Sequence, residues 1–215
     1  MVVRLQTSDP VEVARAADLL AAGMVVAIPT DTVYGLAVDP LQPGAVDRVF
    51  ALKKRPGKVA LPVLVTGWGQ VEMVAGTLEV AAQGFADQFW PGPLTLVVPR
   101  SGRFRADLGG ELAARWTVGV RWPDHRVVRA LCAAVGPLAV TSANRHAEPP
   151  ATSAEDVIVA FAGDDRLSGV LDGGVCDGAP STVVECRGPA SRCLREGGIL
   201  WDGPTKASGG AGLTV

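Results

Sequence analysis

The sequence predicts an α/β fold, or an α+β fold with a mixed sheet, with helices flanking the strands. Short apolar runs, which are typical of buried strands, alternate along the chain with stretches of helical periodicity. The chain has 215 residues, of which 48% are hydrophobic and 20% charged. This composition supplies a substantial core, and the length favours a single domain. No internal repeat or long linker divides the sequence.

The first elements are defined by the residues at their ends. Asp9 can cap a helix whose first position suits Pro10, and apolar residues at helical spacing continue to a stop at Gly23. The apolar run over residues 24–28 ends at a proline and is predicted to be a buried strand. A polar loop over residues 30–35 then leaves the carboxyl end of this strand.

The remaining elements follow the same two patterns. Pro56 disfavours helix at the residue before it, and a Pro-Gly-Pro sequence breaks a later helix. The further predicted helices cover residues 44–54, 78–89, 124–135 and 155–161, and the further predicted strands cover residues 61–65, 94–98, 117–121, 138–140, 168–171 and 182–186.

Bulk charge and the amino terminus exclude several classes of protein. The formal net charge is −2, so binding to nucleic acid would need a local basic patch. The first ten residues lack the apolar core of a signal peptide, and no apolar run approaches the roughly 18 residues needed to cross a membrane. We therefore expect a cytoplasmic protein without a membrane contact.

The metal-ligating residue types are few and scattered. The four cysteines form no C-x-x-C pair and match no zinc spacing, and we expect them to be reduced thiols without a shared role. His125 and His146 are the two histidines of the sequence and have no supporting acidic spacing. No metal site made by the protein alone is predicted.

Three polar segments follow predicted strands or helices, where open α/β sheets usually bind ligands. Residues 29–36 offer hydroxyls, residues 53–56 offer a Lys point charge and an Arg fork suited to phosphate, and residues 141–144 offer short polar groups and backbone N–H groups. Each segment has a purely structural alternative: a polar turn, cations at the end of a helix, and an Asx or Ser turn.

Several well-known motifs are absent from the sequence. It contains no G-x-x-x-x-G-K-[ST] phosphate loop and no G-x-G-x-x-G after a strand, and it contains no G-x-S-x-G nucleophile elbow. The sequence therefore argues against a P-loop protein, a dinucleotide-binding Rossmann domain and an α/β hydrolase.

Seven short segments in order resemble the YrdC-like threonylcarbamoyl-adenylate synthases. They are PTDTVYGL (29–36), KKRP (53–56), WPGPLTLV (90–97), TVGVRWPDH (117–125), TSAN (141–144), PSTVVE (180–185) and LREGG (194–198). The family's K-x-R…S-x-N signature falls on Lys53, Arg55, Ser142 and Asn144. The resemblance runs from about residue 11 to residue 198.

The resemblance implies a fold and a reaction. The fold is a twisted mixed sheet curved around a large concave basic cavity. The reaction converts L-threonine, bicarbonate and ATP, with Mg²⁺, into threonylcarbamoyl-AMP and pyrophosphate. A partner transferase would then modify the adenosine 3′ of the anticodon in tRNA, and a direct RNA contact is also an expectation.

The resemblance also assigns site residues. Threonine would be held by Thr32, Arg121, the Val140 backbone and Ser181, and ATP by Arg55, Thr117, Ser142, Asn144 and Arg195. Lys53 and Arg55 are assigned as catalytic and Lys53 and Asn144 as supporting residues. Strand alternation from residue 182 onward predicts that Ser181 faces a ligand while Thr182 and Val184 face the opposite side.

The chain departs from the family pattern in two ways. Val59 and Leu64 stand where many relatives carry an asparagine and a histidine that touch the ligands. The chain also stops soon after the LREGG segment, so it resembles the short, single-domain members. We expect a catalytic domain over residues 1–202 and a flexible tail rich in Gly, Ser and Ala over residues 203–215.

Three other functions compete with this interpretation. A double-stranded RNA-binding module would use the basic surface but has little aromatic-basic interleaving to support it. A hydrogenase-maturation enzyme shares this domain but carries zinc-finger cysteines that this sequence lacks. A divergent paralogue without catalysis is disfavoured because the signature residues are retained.

Overall fold

The computed structural model describes residues 2–54, 59–111, 116–187, 190–201 and 213–214. The helices are α1 (Pro10–Ala21), α2 (Ala45–Lys53), α3 (Trp68–Ala75), α4 (Val80–Phe89), α5 (Arg126–Val135) and α6 (Ala154–Ala160). The strands are β1 (Val3–Gln6), β2 (Val25–Ile28), β3 (Gly35–Val38), β4 (Val63–Leu64), β5 (Leu94–Pro99), β6 (Thr117–Arg121), β7 (Leu138–Ser142), β8 (Leu167–Asp172), β9 (Thr182–Arg187), β10 (Ala190–Arg195), β11 (Leu200–Trp201) and β12 (Leu213–Thr214).

Ten of these strands form one mixed sheet in the order β1-β8-β2-β3-β7-β4-β6-β5-β9-β10. The pairs β1–β8, β2–β8, β4–β6 and β5–β9 are parallel, and the other neighbours are antiparallel. Strands β11 and β12 form a separate two-stranded ladder. The mixed α/β class predicted from the alternating elements is confirmed.

Alternation along the strands divides the core between the two faces of the sheet. In β2, Val25 and Ala27 join the larger hydrophobic cluster, whereas Val26 and Ile28 join the smaller one. Helices α2, α3, α4 and α6 contribute buried residues to the larger cluster, and α1 and α5 contribute to the smaller. The sheet therefore lies between two helical layers of unequal size.

The smaller layer leaves part of its sheet face uncovered within the described structure. Helices α1 and α5 pack on each other and over the strands near β2, β3 and β7. Further along the sheet, β6, β5 and β9 present Thr117, Gly119, Thr95, Val97 and Val183 on this same face to a pocket rather than to a helix. The binding surface exists because the sheet is wider than its second helical layer.

Several sequence predictions match the structure closely. The Asp9 carboxylate accepts from the Val11 N–H at 2.8 Å, which confirms the predicted cap of α1. The predicted strand over residues 117–121 is confirmed without change as β6. Strand β7 runs two residues beyond the predicted end because Ser142 and Thr141 pair with β3.

Other elements were missed by the sequence patterns. Strand β3 is only four residues long and follows a polar loop, and it forms because it pairs with β2 on one side and β7 on the other. The two edge strands of the sheet, β1 and β10, were also not predicted. Helix α3 was not predicted either, and it begins after Gly67 without a polar cap. Of the predicted tail, residues 213–214 pair with β11, and the other residues lie outside the described structure.

Candidate active site

A pocket of about 480 Å³ lies on the uncovered face of the sheet. Its wall contains the loop after β2, the end of β7, the start of β9 and the end of β10. The lining includes these residues of the family motifs and of the two departures from them: Thr32, Val59, Leu64, Thr117, Arg121, Val140, Ser142, Ser181 and Arg195. Segments that are far apart in the sequence therefore meet at one cavity.

Arg121 is buried at the end of β6 and is held by three contacts. Its Nε donates to the Gly92 carbonyl at 3.1 Å, one terminal nitrogen to Thr32 Oγ1 at 3.0 Å, and the other to Asp31 Oδ1 at 2.6 Å. A guanidinium has five N–H groups, so two remain uncommitted to any described residue. The geometry suits a two-pronged contact with a carboxylate entering the pocket.

Asp31 stabilises Arg121 from behind the pocket wall. Its ion pair with Arg121 is largely buried, and its second oxygen, Oδ2, has no hydrogen-bond partner in the described structure. The loop is tightened by Thr30, whose hydroxyl donates to the Val33 carbonyl at 2.7 Å and lies 2.9 Å from Thr32 Oγ1. The loop after β2 thus orients both Thr32 and Arg121.

A second polar network lies where β9 begins, next to Arg121 because β5 pairs with both β6 and β9. Ser181 Oγ is 2.9 Å from Thr95 Oγ1, and it accepts from a terminal nitrogen of Arg195 at 3.1 Å. The same guanidinium donates twice to the Ser181 carbonyl, at 2.7 and 3.2 Å. Burial lowers the pKa of Arg195 from its ordinary value, and the nearby charge of Arg121 lowers it further.

A β-bulge places Arg195 at this position. The pairing of β10 with β9 shifts in register between Cys193 and Arg195, so both Leu194 and Arg195 line the pocket. The chain then passes so close to β9 that a Cβ at Gly197 would lie 1.9 Å from the Pro180 carbonyl oxygen. Glycine is required there for this approach.

Lys53 lies behind the TSAN loop rather than on the pocket surface. Its side chain is buried, and Nζ donates to the Ser142 carbonyl at 2.5 Å, the Asn144 carbonyl at 2.6 Å and Asn144 Oδ1 at 3.0 Å. Asn144 Oδ1 also accepts from Ser142 Oγ at 2.6 Å. The described geometry therefore gives Lys53 and Asn144 a role in shaping the loop that presents Ser142, whereas a phosphate point charge was predicted for Lys53.

Arg55, the other half of the predicted phosphate clamp, lies outside the described residues. Two departures from the family pattern both reach the cavity: Val59 is 59% exposed at its rim and Leu64 is buried in its wall. Together with Val97, Val140 and Val183 they add aliphatic side chains to the lining of the pocket. Contacts there are with aliphatic carbon instead of an amide or an imidazole.

Thr95 and Gly119 also line the pocket, although the sequence did not assign either of them to the site. Thr95 follows the WPGP segment in β5, and its position on the pocket face depends on strand alternation that a run of apolar neighbours conceals. Gly119 forms the floor, where a Cβ would lie 3.2 Å from Pro62 Cβ and 3.4 Å from Thr95 Cγ2. Its small size keeps the floor open between these neighbours.

The described part of the chain has no group of three or more His, Cys, Asp or Glu side chains placed to hold a metal ion. The described lining of the pocket contains no carboxylate, although carboxylates are the usual protein ligands of Mg²⁺. These residues do not fit a dedicated magnesium site. None of the described helices is long and apolar enough to cross a membrane.

Fold and pocket together define a class: a mixed α/β sheet whose uncovered face carries a cavity with two arginines and several hydroxyls. Residues 18–197 match the sequence profile of the Sua5/YciO/YrdC family, which is described as telomere recombination. The chain belongs to this family.

Two of the similar proteins carry the same name. The chain is 39% identical over 202 residues to the threonylcarbamoyl-AMP synthase of Bacillus subtilis, covering 91% of this chain and 56% of the relative. It is 41% identical over 174 residues to the enzyme of the same name from Chromohalobacter salexigens, covering 79% of this chain and 91% of the relative. The chain thus spans little more than half the length of some relatives.

The fold is also that of a solved relative. The crystal structure of Sua5 from Pyrococcus abyssi in complex with L-threonine superposes with a TM-score of 0.83 at 34% sequence identity. This match covers 93% of the present chain and 58% of the Pyrococcus chain.

Proposed function

We propose that the chain is an L-threonylcarbamoyladenylate synthase, which forms threonylcarbamoyl-AMP and pyrophosphate from L-threonine, bicarbonate and ATP. The observation that carries this proposal is the presence of two guanidinium groups, Arg121 and Arg195, on one pocket whose described lining has no carboxylate. Burial and, after it, the nearby charge of Arg121 lower the pKa of Arg195, and two cations so close together favour anionic ligands between them. A carboxylate and a triphosphate are two such ligands.

The amino acid is assigned to the Arg121 side of the pocket. The two uncommitted N–H groups of Arg121 would bind the carboxylate of threonine, and Thr32 and Ser181 would contact its other polar groups. The Val140 backbone closes this side. The names of the relatives, and the L-threonine complex of the Pyrococcus protein, support this assignment.

The nucleotide is assigned to the side where Arg195, Thr117 and Ser142 line the cavity. Arg55 is expected to add a second fork to the phosphates. Magnesium would enter as the ion of MgATP, held by phosphate oxygens and water, because the described lining offers it no carboxylate.

The reaction depends mainly on positioning the reactants and on neutralising the negative charge of the phosphates. The ammonium group of threonine first loses a proton, and its nitrogen then bonds to the carbon of bicarbonate as a C–O bond of bicarbonate breaks and water leaves. The resulting carbamate oxygen bonds to the α-phosphorus as the bond from phosphorus to pyrophosphate breaks. Holding three reactants in one cavity removes much of the entropic barrier. Fixed cations stabilise the charge that develops on the phosphate oxygens.

The direct test is pyrophosphate release with L-threonine, bicarbonate and MgATP, each omitted in turn. We expect release to require all three substrates. Release that does not depend on threonine would refute the proposal. Transfer of the product to tRNA by a partner transferase, and any RNA contact of this chain, remain predictions. Binding to double-stranded RNA that weakens steeply with salt, without ATP consumption, would favour the RNA-binding alternative.

A further inference from the structure

Thr95 is a buried polar residue in the pocket wall to which the proposed mechanism assigns no role. The residue is 5% exposed, and its hydroxyl lies 2.9 Å from Ser181 Oγ. On its other side, the Thr95 methyl group lies against the floor at Gly119, where it would be 3.4 Å from an added Cβ. The side chain is thus held between the floor and Ser181, with its hydroxyl turned towards Ser181.

The hydrogen atoms of this network can be counted. A serine hydroxyl donates once and accepts twice. Ser181 Oγ already accepts from Arg195 at 3.1 Å, because a guanidinium can only donate. If Thr95 donates to Ser181 as well, both lone pairs of Ser181 are used, and its own proton is available only to a ligand. If the hydrogen bond runs the other way, Ser181 donates its proton to Thr95 and has none to donate to a ligand.

We infer that Thr95 is a positioning residue of the amino-acid site, which donates to Ser181 and so commits the Ser181 hydroxyl to donate to an oxygen of the substrate. The inference rests on the proposed function for the identity of the amino acid. A carboxylate or hydroxyl oxygen of the substrate pulls the Ser181 proton towards itself, which favours the arrangement with Thr95 as donor. Arg195, on the proposed nucleotide side, donates the second hydrogen bond that Ser181 Oγ accepts. Ser181 is therefore in contact with residues of both proposed sites.

Thr95→Val keeps the shape of the side chain and removes its hydroxyl. Without the hydrogen bond from Thr95, the Ser181 hydroxyl has no fixed orientation and can turn a lone pair instead of its proton towards the substrate. We expect L-threonine binding to weaken roughly three- to tenfold, the range for one hydrogen bond. Thr95→Ser restores the hydroxyl and should bind within about twofold of the unmodified protein. ATP binding should not change, because Arg195 is also held by the Ser181 carbonyl.

The experiment is calorimetric titration of the full chain with L-threonine and, separately, with MgATP. Thr77→Val is the matched control, since Thr77 is exposed and lies outside the pocket. In a Ser181→Ala background, Thr95→Val should cause no further loss, because its effect acts through the Ser181 hydroxyl. Thermal unfolding is measured in parallel, and Thr95→Ala replaces the valine variant if that protein does not fold.

The possible results distinguish failure of the inference about Thr95 from failure of the proposed function. Thr95→Val that binds threonine as well as the unmodified protein overturns the inference, as does an equal loss with and without the Ser181 hydroxyl. Equal losses for threonine and MgATP would indicate a general disturbance of the wall and would also overturn it. An unmodified protein that binds no L-threonine would instead refute the proposed function, and the inference with it.

Discussion

Lys53 Nζ donates to Asn144 Oδ1 at 3.0 Å, joining two residues that are 91 positions apart in the sequence. The contact joins the end of α2 to the turn that follows β7, directly beneath Ser142. A lysine has three N–H donors, and three oxygens of residues 142 and 144 accept from it. The two ends of the K-x-R…S-x-N signature therefore form one structural unit.

Replacing Lys53 with Met should destabilise the protein. The substitution keeps an unbranched side chain that is one atom shorter but leaves buried oxygens of the TSAN loop without a donor, which costs about 3 kcal/mol in the free energy of unfolding. Urea denaturation measures this change. Lys54→Met is the control because Lys54 is the adjacent lysine and is exposed. Equal stability of the two variants would contradict the structural role of Lys53.

Replacing Arg121 with Lys should weaken L-threonine binding roughly 10- to 100-fold. Lysine keeps the positive charge but cannot reproduce the fork that contacts Thr32 and Asp31 and still leaves two N–H groups for a carboxylate. Titration calorimetry with L-threonine tests this expectation. Arg126→Lys, at an exposed position, should bind normally. Unchanged affinity of Arg121→Lys for L-threonine would show that Arg121 does not bind the carboxylate of threonine.

If the proposed activity is correct, the protein should distinguish amino acids by their hydroxyl group. If Ser181 and Thr32 contact the hydroxyl of threonine, valine leaves buried polar groups unpaired, and we expect kcat/KM to fall by at least roughly two orders of magnitude. Serine keeps the hydroxyl and loses one methyl group, so its kcat/KM should fall less, by roughly 10- to 200-fold. Parallel pyrophosphate-release assays measure the three values. Turnover of valine equal to that of serine would mean that the hydroxyl is not recognised.

His125 should make the stability of the fold depend on pH. Burial lowers the pKa of His125 below its ordinary value, and its Nδ1 accepts from the Val128 N–H at the start of α5. Since the unfolded chain takes up the proton first, stability is lost as the pH falls below about 6.5, the ordinary pKa of histidine, towards the lowered folded value.

Replacing His125 with Asn tests this contribution. Asparagine is a good N-cap without a titrating group, so the variant should lose less stability than the unmodified protein between about pH 7 and pH 5. Urea denaturation at several pH values gives the comparison. His146→Asn, at an exposed position, should retain the original dependence. Identical pH profiles for His125→Asn and the unmodified protein would show that His125 is not responsible.

Local chemistry was enough to predict much of the fold. Asp9 and Pro10 define the start of α1 because a cap and a proline act within one turn. The strand over residues 117–121 can be predicted from the sequence because its apolar run ends in charged and aromatic residues. Alternation in β9 also predicts, correctly, that Ser181 lines the pocket while Val184 lies in the core.

The α/β class, the family motifs and the residue types available to a site could be predicted from the sequence alone, because these depend on periodicity, caps and short segments. Which groups face the ligand depends on the tertiary structure. It placed Lys53 behind the wall, brought Thr95 against Ser181 and used a bulge to turn Arg195 into the cavity. These relationships depend on strand register and on the limited width of the second helical layer, and both arise from pairing between segments that are distant in the chain.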